Sequence, residues 1–182
     1  LYATFIKRCF ELTNEDGKVA MIHPHTFMFI KTFEDVRKYI LEKSTIELFV
    51  DHGLDRANLF DPSVRLDACY YILDKNNLSI EDKKGNYFFI SSTVAERDKK
   101  NVFLTILDDF IEGNENNRIF KLAQAKLKVI KSYPFIYWIS DEFREKFSKV
   151  ALEKVAKVVS GIKTTLNKRC IEVGVEFIRL FV

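Results

Sequence analysis

The sequence predicts an α/β fold built on a wound sheet. Between Tyr2 and Val50 the apolar residues switch twice from helical spacing to short continuous runs, in the order helix, strand, helix, strand. The chain has 182 residues, of which 47% are hydrophobic, which is enough to bury a core and leaves room for one domain and part of a second.

The elements follow in order. Tyr2, Phe5, Ile6, Cys9, Phe10 and Leu12 recur at helical spacing, and Asn14-Glu15-Asp16-Gly17 supplies the stop and turn. Val19-Ala20-Met21-Ile22 reads as a strand, Thr32 to Lys43 as a helix through Phe33, Val36, Tyr39, Ile40 and Leu41, and Ile46 to Val50 as the next strand. The strands at Val19 and Ile46 are expected to lie side by side. Leu66 to Leu73 reads as a third strand, and its short connection suggests an antiparallel pair at the sheet edge. Tyr87 to Ile90 is a fourth candidate beyond a polar, hairpin-like run. Val94 to Arg118 is charged, and Gly113-Asn114-Glu115-Asn116-Asn117 is the clearest linker signal. An amphipathic stretch around Leu122 to Ile130, an aromatic cluster from Tyr133 to Trp138 and helices at Asp141 to Ser148 and Leu152 to Val159 complete the reading.

The net charge of +3 hides an asymmetry. Residues 1–120 carry 16 Lys and Arg against 20 Asp and Glu, whereas residues 121–169 carry 12 against 4. A local basic excess suits phosphate binding, although it also keeps ordinary helices in solution. Cys9, Cys69 and Cys170 are too scattered for a disulfide framework, so a reducing cytoplasm is the expected setting. No apolar run approaches the ~20 residues that span a bilayer, and Leu1 to Phe10 lacks the pattern of a secretory signal, so no membrane partner is expected. The first residue is Leu and the helix starts at once, as expected for a piece of a longer protein.

In a wound sheet, ligands collect at the carboxyl ends of the strands. That singles out His23-Pro24-His25-Thr26 and Asp51-His52-Gly53. A metal-dependent hydrolase using His23, His25 and His52 is one conceivable reading, but the spacing is not that of a metal motif, and no metal is expected. No nucleophile elbow, phosphate-binding glycine loop or paired-cysteine zinc motif is present. Asp61-Pro62-Ser63 and Tyr133-Pro134-Phe135 read as turn and packing prolines. The rings from Tyr133 to Trp138 suit either stacking on bases or, more often for such interleaved clusters, the core. Ser160 to Arg169, with Lys163, Thr164, Asn167, Lys168 and Arg169, has the chemistry of phosphate contacts or of a solvated loop.

Tyr2, Phe5-Ile6, Arg8, Gly17, Val19 to Ile22, Pro24, Thr26-Phe27-Met28-Phe29 and Phe33 together resemble a family passage. It follows the catalytic loop in adenine-specific DNA methyltransferases of Taq type and of the BREX (PglX-like) defence systems. Pro134-Phe135 with Tyr137-Trp138-Ile139-Ser140 and Phe147 resembles the passage that links catalysis to target recognition in the BREX enzymes. Ser160-Gly161-Ile162-Lys163-Thr164 with Asn167 is similar to a motif of that second region, departing from it at Thr165 and Cys170.

The resemblance implies the C-terminal half of a Rossmann-like methyltransferase sheet followed by a mainly helical lead into a target-recognition region. The expected divisions are residues 1–92 for the second half of the catalytic domain, 93–120 for a linker and 121–182 for the start of target recognition. Such enzymes extrude the adenine from the duplex and methylate its amino group with S-adenosylmethionine. The Asn-Pro-Pro-Tyr loop and the glycine-bearing cofactor motif do not occur in this sequence, so no catalytic residue is expected here. The piece alone is expected to be inactive and to bind no cofactor. Phe33 matches the aromatic position set against the extruded base, with His25 and Thr26 beside it; alternatively, Phe33 only staples its helix to the sheet. Lys163, Thr164, Asn167, Lys168 and Arg169 are the expected DNA contacts. The implied partners are double-stranded DNA, the rest of the parent chain and other defence-system proteins. The competing expectation is a non-catalytic nucleic-acid-binding or protein-interaction module.

Overall fold

A computed structural model of the chain describes residues 2–53, 67–90 and 96–149. Helix α1 (Tyr2–Leu12) buries Ile6 and Phe10 on one face, as its spacing requires. It stops where the Thr13 amide and hydroxyl both turn back onto the Cys9 carbonyl, at 3.0 and 2.6 Å. Strand β1 (Lys18–Pro24) then sends Val19 and His23 into the core while Ile22 faces out. Two 3-10 turns (His25–Met28 and Lys31–Phe33) lead into α2 (Glu34–Lys43). Glu34 and Asp35 in its first turn and Lys43 in its last complement the helix dipole.

Strands β2 (Ser44–Asp51), β3 (Ala68–Lys75), β4 (Lys84–Phe89) and β5 (Ile119–Ala123) complete a five-stranded sheet in the order β1-β3-β2-β4-β5. β3 is antiparallel to both β1 and β2, so those two run parallel, and β4 runs parallel to β2. The strands at Val19 and Ile46 are therefore not neighbours, and β3 is interior rather than at the edge. The β1-α2-β2 crossover leaves the width of one strand, which β3 fills. Its composition fits: Tyr71 faces one side, while Tyr70 packs on the other, and a strand covered on both faces needs apolar residues on both.

Successive residues of β2 and β4 divide the core between two layers. Phe49 and Tyr87 join the larger cluster with α1, α2, Phe27, Phe135 and Tyr137, whereas Val50 and Phe88 join Ile90 and Ile106. Ile106 belongs to α3 (Glu96–Glu112), a 17-residue helix. The stretch expected to be a linker is thus largely a helix that covers the second face of the sheet. Its exposed charged side chains gave it a linker composition, while Val102, Phe103, Ile106, Leu107 and Phe110 form the apolar stripe. Gly113, at φ 77°, ends it in the left-handed conformation common after a helix.

β2 pairs with β4 only from Phe49 to Asp51. Ahead of that, side-chain amides complete the ladder. Gln124, fully buried, accepts from the Ile46 amide at 2.6 Å and donates to the Ser44 carbonyl at 3.0 Å, and Asn86 donates to the Glu47 carbonyl at 2.8 Å. The amphipathic stretch after Leu122 is the end of β5 followed by a 3-10 turn (Gln124–Lys128). The chain then returns across the larger cluster to α4 (Asp141–Glu145), where the Ser140 hydroxyl caps the Phe143 amide at 3.2 Å. A final 3-10 turn spans Lys146–Ser148, and the compact unit ends at Lys149. The expected Leu152–Val159 helix lies outside the described residues.

Arg37 fastens this return. Its guanidinium is fully buried, donating to the Phe27 and Ile30 carbonyls at 2.5 and 2.8 Å and to the Ser132 carbonyl through two nitrogens at 3.0 and 2.6 Å. Replacement by alanine strands three carbonyls and is expected to cost at least about 3 kcal/mol. Arg37→Lys should recover only part of this, because an ammonium lacks the planar fork. Urea denaturation measures both; an alanine variant within about 1 kcal/mol of the parent would contradict the clamp.

Candidate functional site

Because β1, β2 and β4 run the same way, their carboxyl ends share one edge of the sheet, and the residues singled out in sequence gather there. His23, His25, Asp51 and His52 are all buried. His23 is a core residue: Nε2 lies 2.8 Å from the Tyr71 hydroxyl and Nδ1 lies 3.0 Å from the Pro24 carbonyl. Burial lowers its pKa, partly opposed by that carbonyl.

His25 opens the first 3-10 turn, anchored by its amide to the Asp67 carbonyl at 3.0 Å. Its Nδ1 lies 3.5 Å from Asp51 Oδ1, and its ring meets Phe29 edge-on at 5.6 Å. Asp51 closes β2. Its Oδ1 also accepts the Gly53 amide at 2.8 Å, a short turn made possible by Gly53 at φ 80°, and its Oδ2 accepts the Tyr137 hydroxyl at 3.0 Å. Burial first, then the Asp51 carboxylate, pushes the Tyr137 phenol far above its ordinary range, so the hydroxyl keeps its proton and donates. Tyr137 in turn stacks on Tyr87 at 4.9 Å, and Trp138 lies edge-on to Phe29 at 6.0 Å with 44% exposure.

The aromatic cluster is therefore divided. Phe135 and Tyr137 are core, and Trp138 stays accessible. Thr26 is exposed beside His25, its carbonyl accepting the Phe29 and Ile30 amides. Phe33 is half-buried at the head of α2 and packs against the larger cluster. The ring that contacts His25 is Phe29, four residues before Phe33. Sequence reading did not single out Tyr137 as a polar group; the available signal was that a buried tyrosine needs a partner for its hydroxyl. Lys163, Thr164, Asn167, Lys168 and Arg169 lie outside the described residues.

Among the described residues, no group of three or more His, Cys, Asp or Glu side chains is arranged to hold a metal. His52 points to the other layer, with its ring 5.3 Å from Tyr70. The described glycines stand in the α1-β1 turn, after β2, within β4 and after α3. None forms the strand-to-helix turn that cradles a nucleotide, so these residues do not fit S-adenosylmethionine. Part of the basic excess is internal: Lys126 pairs with Asp141 at 2.5 Å and Lys128 with Glu42 at 4.0 Å. No helix of the described residues is long and apolar enough to cross a membrane.

A family model described as Eco57I restriction-modification methylase matches residues 1–60. The chain is 24% identical over 169 residues to adenine-specific methyltransferase PglX of Lacticaseibacillus casei (strain Zhang), covering 92% of this chain and 13% of that protein. It is 26% identical over 156 residues to adenine-specific methyltransferase BrxX of Escherichia coli O9:H4 (strain HS), covering 82% and 11%. Among solved structures, a modification subunit of a putative type I restriction enzyme from Vibrio vulnificus YJ016 matches with TM-score 0.55 and 14% identity over 69% of this chain and 28% of that one. The DrdV-DNA complex matches with TM-score 0.56 and 17% identity, over 78% and 14%. These structural likenesses show the fold, an α/β sheet of methyltransferase type.

The buried edge carries a pH dependence. His52 is pushed from the ordinary 6.5 down to about 4, by burial first and then by Lys99, with Asp51 opposing. As pH falls the unfolded chain takes up this proton before the folded one, so stability is full above 6.5 and is lost towards about 4. The lowered pKa of His23 acts in the same sense. Denaturant midpoints should fall across that window, and less steeply in His52→Gln; equal slopes in the two proteins would contradict this assignment.

Proposed function

Because the chain is a relative of the adenine-specific methyltransferases of restriction-modification and BREX type, we propose that it forms part of the catalytic domain of a longer DNA adenine methyltransferase. It supplies the late strands of the sheet and one wall of the pocket that receives the extruded adenine. The carrying observation is the coincidence of the family match over residues 1–60 with the β1-α2-β2 unit, whose carboxyl edge gathers His25 and Asp51.

In this reading Phe33 stacks on the extruded base, and His25 and Thr26 line the pocket beside it. Residues from Lys163 to Arg169, including Lys163, Thr164, Asn167, Lys168 and Arg169, contact the DNA in the target-recognition region. S-adenosylmethionine, held by other parts of the parent chain, supplies the methyl group. The residues here orient the nucleotide and shield it from water, and the chain by itself transfers nothing. The setting is the cytoplasm, the substrate is double-stranded DNA, and the role is restriction-modification or phage defence alongside other defence proteins.

The test is methyl transfer from labelled S-adenosylmethionine to DNA by the longer parent protein. Loss of a stacking ring is worth about 1–3 kcal/mol, so Phe33→Ala should lower kcat/KM by roughly tenfold or more. Unchanged transfer would remove Phe33 from the pocket. A parent protein that binds DNA but transfers no methyl group would favour a non-catalytic nucleic-acid-binding module.

A further inference from the structure

The ring of Tyr137 is placed by hydrocarbon contacts that a phenylalanine would make equally well. It stacks on Tyr87 at 4.9 Å and 10° and meets Phe120 edge-on at 5.4 Å. Among the described residues its hydroxyl makes one hydrogen bond, at 3.0 Å to Asp51 Oδ2. Asp51 is thereby fixed through both oxygens, with the Gly53 amide on Oδ1, and that same Oδ1 lies 3.5 Å from His25 Nδ1, within ion-pair range, where Nδ1 is buried without a hydrogen-bond partner among the described residues. Among the described residues no group engages His25 Nε2. A carboxylate close to one nitrogen of an imidazole favours a proton on that nitrogen and leaves the other for a substrate.

We propose that Asp51 and Tyr137 are positioning residues: together they hold the His25 ring with Nδ1 turned to the carboxylate and Nε2 directed to the extruded nucleotide. This rests on the proposed reading of the carboxyl edge as a base pocket. It gives the aromatic segment after β5 a part in the pocket itself. That segment is tied down independently, because the Phe135 amide donates to the Met28 carbonyl at 3.0 Å and Arg144 donates to the Ile136 carbonyl at 2.9 Å. The Tyr137 hydroxyl can therefore be removed without releasing the chain that carries it.

The experiment is a double-mutant cycle in the longer parent protein, with steady-state methyl transfer to DNA and thermal unfolding measured for each variant. Tyr137→Phe should lower kcat about tenfold while KM for DNA stays within about twofold, since a misplaced group costs rate more than ground-state binding. His25→Ala should lower kcat at least as much, and the double variant should be no worse than His25→Ala alone. Additive losses, or a Tyr137→Phe variant as fast as the parent, would overturn the positioning role while leaving the methyltransferase reading intact. If Tyr137→Phe unfolds early, Asp51→Asn takes its place in the same cycle with the same expected non-additivity. A parent protein that transfers no methyl group overturns the reading and this proposal together.

Discussion

The site depends on one buried cation. The guanidinium of Arg37 leaves water entirely, and the surrounding structure offsets that cost only by offering it three backbone carbonyls, those of Phe27, Ile30 and Ser132. Two of these belong to the connection between β1 and α2, and the third to the segment that returns after β5. Neither can shift without leaving the charge unsatisfied. The same geometry explains why Ser132 and Tyr133 adopt φ of 69° and 53°, a conformation that residues with side chains seldom hold unless their surroundings impose it.

The clamp matters because of what lies on either side of it. The β1-α2 connection carries His25, and the return segment carries Tyr137; Asp51 at the end of β2 joins the two. Around this polar seam the aromatic core is continuous, with Phe135 edge-on to both Phe27 and Phe49 at 5.6 and 6.0 Å. Apolar packing supplies the bulk stability and the hydrogen bonds set which surfaces meet. The buried amides of Gln124 and Asn86 do comparable work at the other end of β2, where the neighbouring strand has not yet come alongside.

The periodicity of local elements was readable in the sequence. α1, α2, β1 and β2 follow directly from apolar spacing, and Asp141 to Ser148 is helical, as α4 and a 3-10 turn. What escaped was non-local. The place of β3 between β1 and β2 depends on the crossover, although its apolar residues on both faces carried a hint. α3 was masked because its solvent face is charged, so its composition resembled a linker while its stripe of Val102, Phe103, Ile106 and Phe110 remained helical. The strand-end rule located His25 and Asp51, but the hydroxyl that Asp51 accepts, that of Tyr137, lies 86 residues away along the chain, beyond the reach of spacing arguments.

In the proposed function, the carboxyl edge, the head of α2 and the returning aromatic segment together would receive a base. The most direct measurement is a structure of the longer parent protein bound to duplex DNA carrying its target adenine, with a non-reactive cofactor analogue. The account predicts an extruded adenine at the carboxyl ends of β1 and β2, against Phe33, with His25 at its side. An adenine left stacked in the duplex, or bound away from that edge, would contradict it.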